Sequence, residues 1–227
     1  MMRPRVLECP TCGGPLRFQV PFCAYCRSPI TWGDSLELDR GASVHAEHYP
    51  ERPLLGGSLL RKESLEKSAD GHVVVLRAGT ASWAKAMRNA RDSCVAVTGV
   101  TVEPHAGFAA VARAHTEGGV VDAYIAAVVP GLRSVRLARL CEGSDVSAVL
   151  PIRDWECSPH VAPIGYANTV ELRVADTVLQ LFVNGQRVLS AVDGGLGFGS
   201  FGWRAFSCEG PARVLIRALE VFAVSTR

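Results

Sequence analysis

At 227 residues with 48% apolar side chains, the chain is long enough to bury a sizeable core, as one large β domain or two unequal domains. Its 24 basic and 22 acidic residues leave a net charge of +2 with no dense basic block, so the electrostatic footprint of a nucleic-acid-binding protein is missing. No run of about eighteen apolar residues is present to cross a membrane, and the basic start at Arg3 and Arg5 runs into Cys and Pro, so a soluble, unexported, cytoplasmic protein is expected.

The first element in the chain is Cys9-Pro-Thr-Cys12-Gly-Gly, answered ten residues on by Cys23-Ala-Tyr-Cys26. Two Cys-x-x-Cys pairs at this distance bring four thiolates within reach of one tetrahedral zinc ion, each sulfur about 2.3 Å from the metal. Gly13 and Gly14 let backbone amides approach the sulfurs without a Cβ in the way. Between the pairs, Leu16-Arg-Phe18-Gln-Val20 alternates like a short hairpin strand. A redox dithiol needs one Cys-x-x-Cys beside a βαβ pattern, and neither pair has one. Residues 7 to 32 therefore resemble a zinc ribbon. Four thiolates close the shell, so the expected cofactor is one structural zinc ion on Cys9, Cys12, Cys23 and Cys26. Cys94, Cys141, Cys157 and Cys208 are scattered, and read as small buried hydrophobes in a reducing compartment, neither disulfides nor catalytic thiols.

Gly33 to Pro53 collects polar residues with little periodicity, so the expected organisation is a ribbon over 1–32, a linker over 33–53 and a larger domain over 54–227. Ser35-Leu-Glu-Leu38 promises at most one strand. His45-Ala-Glu-His48 would offer two imidazoles from one helical turn, but nothing nearby completes a metal shell, and both read as solvated linker histidines.

From Leu54 onward, short apolar runs separated by Gly, Pro, Asn and Asp recur about every ten residues, the rhythm of an antiparallel β-sandwich. Val73–Leu76, Cys94–Val97, Phe108–Ala112, Asp122–Ile125 and Ser134–Leu137 are the first expected strands, with Lys85 to Arg91 as the most helix-like stretch. Thr169–Val174 alternates, placing Val170, Leu172 and Val174 on one face and Glu171 and Arg173 on the other. Asn184-Gly185 between Thr177–Val183 and Gln186–Ser190 predicts a hairpin closed by a type I′ turn. A Gly-rich passage from Gly194 to Gly202 precedes a last strand from Ala212 to Val224, in which Val214, Ile216, Ala218 and Phe222 share one parity.

The run Asn168-Thr-Val-Glu-Leu-Arg-Val174, Leu181-Phe-Val-Asn184-Gly185 and Gly197-Phe-Gly199-Ser-Phe-Gly202-Trp203 resembles the C-terminal half of the concanavalin A-like lectin and glucanase sandwich. The likeness extends back through Gly107–Arg113 and Ala123–Val128 and implies a jelly roll. It lies in hairpins and not in active-site residues, so it bears on fold more than on function.

Candidate chemistry is sparse. Gly197-x-Gly199-x-x-Gly202 fits the dinucleotide-binding expression, but a strand follows where a helix is required, and a tight glycine-rich loop between strands is expected instead. The glucanases place catalytic carboxylates on one strand as Glu-x-Asp-x-x-Glu, and no such run exists; Asp154-Trp-Glu156 is the nearest pair. Asp145 and Asp193 are too isolated for calcium. Trp83, Trp155, Tyr166 and Trp203 lie in or beside expected loops, where aromatics mostly serve packing, and Trp155 and Trp203 are the candidates for stacking on a ligand. The expectation is a non-catalytic zinc-binding adaptor, mainly β, whose ribbon and lectin-like sandwich bind a protein partner. A glycan-binding or glycoside hydrolase-related module is the alternative.

Overall fold

The computed structural model describes residues 12, 24–27, 38–48, 65–68, 70–143 and 147–226. In chain order the strands are β1 (Leu38–His48), β2 (Leu65–Ser68), β3 (Gly71–Leu76), β4 (Ala81–Ala90), β5 (Ser93–Thr101), β6 (Ala106–Glu117) and β7 (Val120–Val129). They continue with β8 (Ser134–Glu142), β9 (Ser147–Cys157), β10 (Asn168–Ala175), β11 (Val178–Val183), β12 (Gln186–Val192), β13 (Gly199–Ser207) and β14 (Ala212–Thr226). The first sheet runs β12-β11-β10-β5-β14-β3-β2, with β1 also paired to β14; the second runs β4-β13-β6-β7-β8-β9. This is the antiparallel β-sandwich that the spacing of apolar runs predicts, in the jelly-roll form that the resemblance implies.

The alternating strands meet between the sheets. Val95, Val97, Val170, Leu172, Val174, Leu179 and Leu181 of the first sheet pack against Phe108, Ala110, Tyr124, Val128, Leu137 and Trp203 of the second in one buried cluster. Small residues on β6 leave room for large ones from β14 in the facing sheet, which is how sheets about 10 Å apart fill their interior. Asn184 and Gly185 take φ of 51° and 82°, the two positive values of the expected type I′ turn. The Asn184 side chain accepts from the Thr169 amide (2.8 Å) and donates to the His160 carbonyl (2.9 Å), pinning the turn to the loop before β10.

At the opposite end one side chain gathers three loops. Arg113, only 2% exposed and at φ 51°, donates from Nε to the Arg91 carbonyl (2.8 Å) and from Nη1 to the carbonyls of Asp176 and Leu196 (2.6 Å each). Its Nη2 reaches Asp92 Oδ1 at 3.2 Å. Burial pushes the guanidinium below its ordinary range, and Asp92 pulls it partly back.

Several expectations are corrected. Lys85 to Arg91 does not turn as a helix: through Ala90 it belongs to β4, which pairs with β13 from Gly199↔Ala90 to Phe206↔Ala81. The Gly-rich passage is a loop only to Phe198. Gly199 and Gly202 lie within β13, where a Cβ on Gly199 would stand 2.5 Å from the Arg113 carbonyl carbon, so the glycine serves close backbone approach within a strand. In β14 a register shift between Ile216 and Ala218 flips the parity: Val214, Ile216, Leu219 and Val221 face the core, and Phe222 joins Cys94 and Ala96 on the outer side. Leu38–His48, assigned to the linker from sequence, forms β1 on the C-terminal half of β14, and His45 and His48 stand on a strand instead of a helical turn. Of the four scattered cysteines only Cys94 is buried; Cys157 and Cys208 are exposed, and none of the four is in a disulfide.

Candidate functional site

The outer face of the second sheet carries a concentration of aromatic and charged side chains that packing between the sheets does not use. Its floor is small and apolar, with Ala109 and Val111 on β6, Ala123, Ile125 and Ala127 on β7, and Ala138 and Leu140 on β8 in one buried cluster with Trp83 and Phe206. Phe206 lies over Gly107, where an added Cβ would meet the Phe206 ring at 2.5 Å.

The face curls on itself. Trp155 on β9 and Phe206 on β13 stand four strand spacings apart, about 19 Å across a flat sheet, yet their ring centroids are 6.4 Å apart. Arginines extend this ring pair on both sides: the Arg136 guanidinium carbon is 5.6 Å from the Trp155 ring, and that of Arg204 is 5.7 Å from the Phe206 ring. Each arginine has a carboxylate: Arg136 Nε stands 3.6 Å from Asp154, and Arg204 Nη2 stands 3.7 Å from Glu142. Arg204 is 8% exposed, and burial pushes its pKa down while Glu142 pulls it up.

A bulge sets what β9 presents. The pairing with β8 jumps between Val135↔Glu156 and Leu137↔Arg153, so two residues, Asp154 and Trp155, stand opposite the single Arg136, one more than regular pairing allows. Asp154 pairs with Arg136 of the curled face. Glu156 is gripped by Arg153 at 2.7 Å, and Arg153 also donates to the Ser190 carbonyl of β12 in the other sheet. Alternation alone would put both carboxylates on one face; the bulge sends them to different neighbours. A shallow cleft beside Glu156, lined also by Ser158, His160 and Arg187, has no Phe, Tyr or Trp in its lining.

The two tryptophans singled out from sequence are separated by this geometry. Trp155 is 39% exposed on the curled face, whereas Trp203 is wholly buried between the sheets and has no surface for a ligand. Trp83 is buried in the floor, and Tyr166 is exposed on the loop before β10. Sequence reasoning missed Arg136, Glu142, Arg204 and Phe206. The parity of Phe201, Trp203 and Ala205 against Arg204 and Phe206 was the available signal, hidden by the glycines that made the segment read as a loop.

Of the expected zinc ligands, Cys12 and Cys26 are exposed, and Cys9 and Cys23 lie outside the described residues. Ala24–Cys26 forms a turn and Arg27 follows with φ 57°. Among the described residues no group of three or more Cys, His, Asp or Glu stands close enough to hold a metal, and no helix is long and apolar enough to cross a membrane.

No family model and no curated protein matches the chain. Solved structures share its fold. A protein of unknown function with a galectin-like fold from Bacillus subtilis superposes with a TM-score of 0.59 at 12% identity, covering 84% of this chain and all (100%) of the other. A family 66 carbohydrate-binding module, also from Bacillus subtilis, gives 0.54 at 12% identity over 73% of this chain and 91% of its own. The β-glucanase of Bacillus licheniformis gives 0.53 at 8% identity over 80% and 98%. The likeness shows a shared two-sheet jelly-roll fold.

Proposed function

We propose that the sandwich is a non-catalytic carbohydrate-binding domain that stacks a sugar ring on Trp155 at the curled face of the second sheet. The observation that carries this reading is a part-exposed tryptophan flanked by Arg136, Asp154 and Phe206 on a face that inter-sheet packing leaves unused. Sugars present apolar C–H faces ringed by hydroxyls, and an aromatic beside fixed polar groups matches both. The fold shared with a carbohydrate-binding module and a glucanase favours this alternative over the protein-binding adaptor that leads the sequence reading. The divergence of Asp154 and Glu156 speaks for binding without hydrolysis, because glycoside cleavage needs two carboxyl groups flanking one bond.

The N-terminal segment is assigned in the same proposal as a zinc ribbon, with one structural ion on Cys9, Cys12, Cys23 and Cys26. The donor set supports it: four thiolates suit tetrahedral zinc, and the Ala24–Cys26 turn, followed by a left-handed Arg27, is a local reversal of the kind that brings the two ends of a Cys-x-x-Cys pair to one point. A bound zinc would supply most of the folding free energy of a segment with so little core.

A glycan array probed with the full chain tests the binding reading. Retention on at least one glycan, lost in Trp155→Ala and kept in Tyr166→Ala, is the expected result; a wild type retained by none, or a Trp155→Ala variant retained equally, overturns it. Elemental analysis of protein prepared under reducing, zinc-replete conditions should find about one zinc per chain, and a content unchanged by Cys23→Ala would remove the ribbon.

A further inference from the structure

Among the described residues of the curled face three polar atoms are buried without a hydrogen-bond partner: Arg204 Nε, Glu142 Oε2 and Arg136 Nε. Arg204 and Glu142 touch as charges at 3.7 Å but do not close to hydrogen-bond distance. A buried pair kept only for structure gains from satisfying every donor and lone pair, since each one left open costs free energy. We propose that Arg204 and Glu142 are the polar recognition element of the glycan site, and that they select neutral, vicinally hydroxylated sugars over sulfated, uronic or amino sugars.

The selection follows from charge and hydrogen-bond type, and it rests on the carbohydrate reading above. Among the described side chains of this face two cations stand against two carboxylates, Arg136 with Asp154 and Arg204 with Glu142, so neither pair offers an uncompensated charge to an ionic ligand. A hydroxyl both donates and accepts. One hydroxyl can accept from the Arg204 Nε–H while its neighbour donates to Glu142 Oε2, which answers both open atoms at once. A sulfate or carboxylate brings acceptors only and meets Glu142 with like charge; an ammonium brings donors only and meets Arg204. Trp155 joins the arginines through the ring chain from Arg136 to Phe206 to Arg204, so a sugar stacked on it lies beside the pair. The open atoms are shielded in this arrangement, and Trp155, carried on the bulge of edge strand β9, is the part-exposed ring of the ring chain that leads to them.

The test uses the full chain on an array of neutral and anionic glycans that includes mixed-linkage β-glucan and κ-carrageenan. Wild type is expected on neutral members only. The double variant Glu142→Leu with Arg204→Met should bind them at least about tenfold more weakly, the scale of hydrogen bonds to charged groups, with a melting temperature at or above wild type, because apolar replacement of a whole buried pair is often neutral or stabilising. A preference for anionic glycans, or undiminished retention of the double variant, overturns the proposal. Should that variant fail to fold, Glu142→Gln keeps the shape and removes the charge, and its unchanged retention overturns the proposal equally. Binding abolished by Trp155→Ala but kept in the double variant leaves the glycan site standing and removes the pair from it. A wild type retained by no glycan removes both.

Discussion

Replacing Arg113 with Met isolates what a guanidinium does at the loop end of the sandwich, since Met keeps an aliphatic stem in the same space. The change deletes donors to three carbonyls. The Leu196 carbonyl is buried with its partner, so losing it costs about 1–3 kcal/mol, and the carbonyls of Arg91 and Asp176, part-buried, cost about 0.5–1.5 kcal/mol each because water replaces the donor in part. The pair with Asp92 adds little, as that carboxylate is 44% exposed. The expected loss is about 2–6 kcal/mol, large for a single substitution. Urea titration followed by tryptophan fluorescence should show a lower midpoint at unchanged slope, and a melting temperature lower by roughly 2–4 °C per kcal/mol. Arg113→Lys keeps the charge but not the fork, and should recover less than half of the loss. A Met variant within about 1 kcal/mol of wild type, or a Lys variant as stable as wild type, would show that the three carbonyls do not depend on this side chain.

Trp203→Ala should destabilise by about 3–5 kcal/mol through the cavity it leaves, whereas Trp155→Ala should stay within about 1 kcal/mol, the scale of a surface change; thermal melts of the two decide which ring is core. Gly185→Val forces a β-branched residue to φ 82° and should cost about 1–3 kcal/mol in urea titration, an unaltered midpoint showing that the turn tolerates a side chain. Burial first, and then Glu171, push the Cys94 thiol from an ordinary value near 9 up to about 12. An unfolded chain releases this proton between those values while the folded one holds it, so stability present below pH 9 should fall as pH rises toward 12. Cys94→Ala should flatten that slope, and a slope identical to wild type over that range would sink the argument.

Local chemistry with one available outcome was legible before the structure. Asn184-Gly185 accepts two positive φ values, so the hairpin and its turn type followed, and the alternation from Val170 to Val174 had one strand face to bury. What failed needed the partner strand. The Ala, Lys, Met and Arg residues of β4 carry respectable helix propensity, and only pairing to β13 overrides it. Glycine count hid β13, because the same residue marks a loop or a close backbone crossing, and Gly199 serves the second at Arg113. The extra residue opposite Arg136 and the shift at Arg217 are bulges, visible only as misregister between two strands; the first parted Asp154 from Glu156 and the second reversed the faces of β14. For the curled face the sequence offered Trp155 and no reason to prefer it over Trp203.

The placement of the last two strands constrains how the chain is made. β13 is inserted between β4 and β6, and β14 between β5 and the shared edge of β3 and β1, so the last two strands of the sandwich each fill a gap inside a sheet. Until Gly199–Thr226 is synthesised, β5, β6, β3 and β4 each lack a hydrogen-bonded neighbour, and β1 waits for a partner whose sequence lies some 180 residues downstream. Neither sheet closes during elongation. Until those last strands are made, β3, β4, β5 and β6 present unpaired edges, a state that invites pairing with other nascent chains and chaperone capture. Completion of both sheets therefore waits for β13 and β14, and is ordered more by topology than by the order of translation.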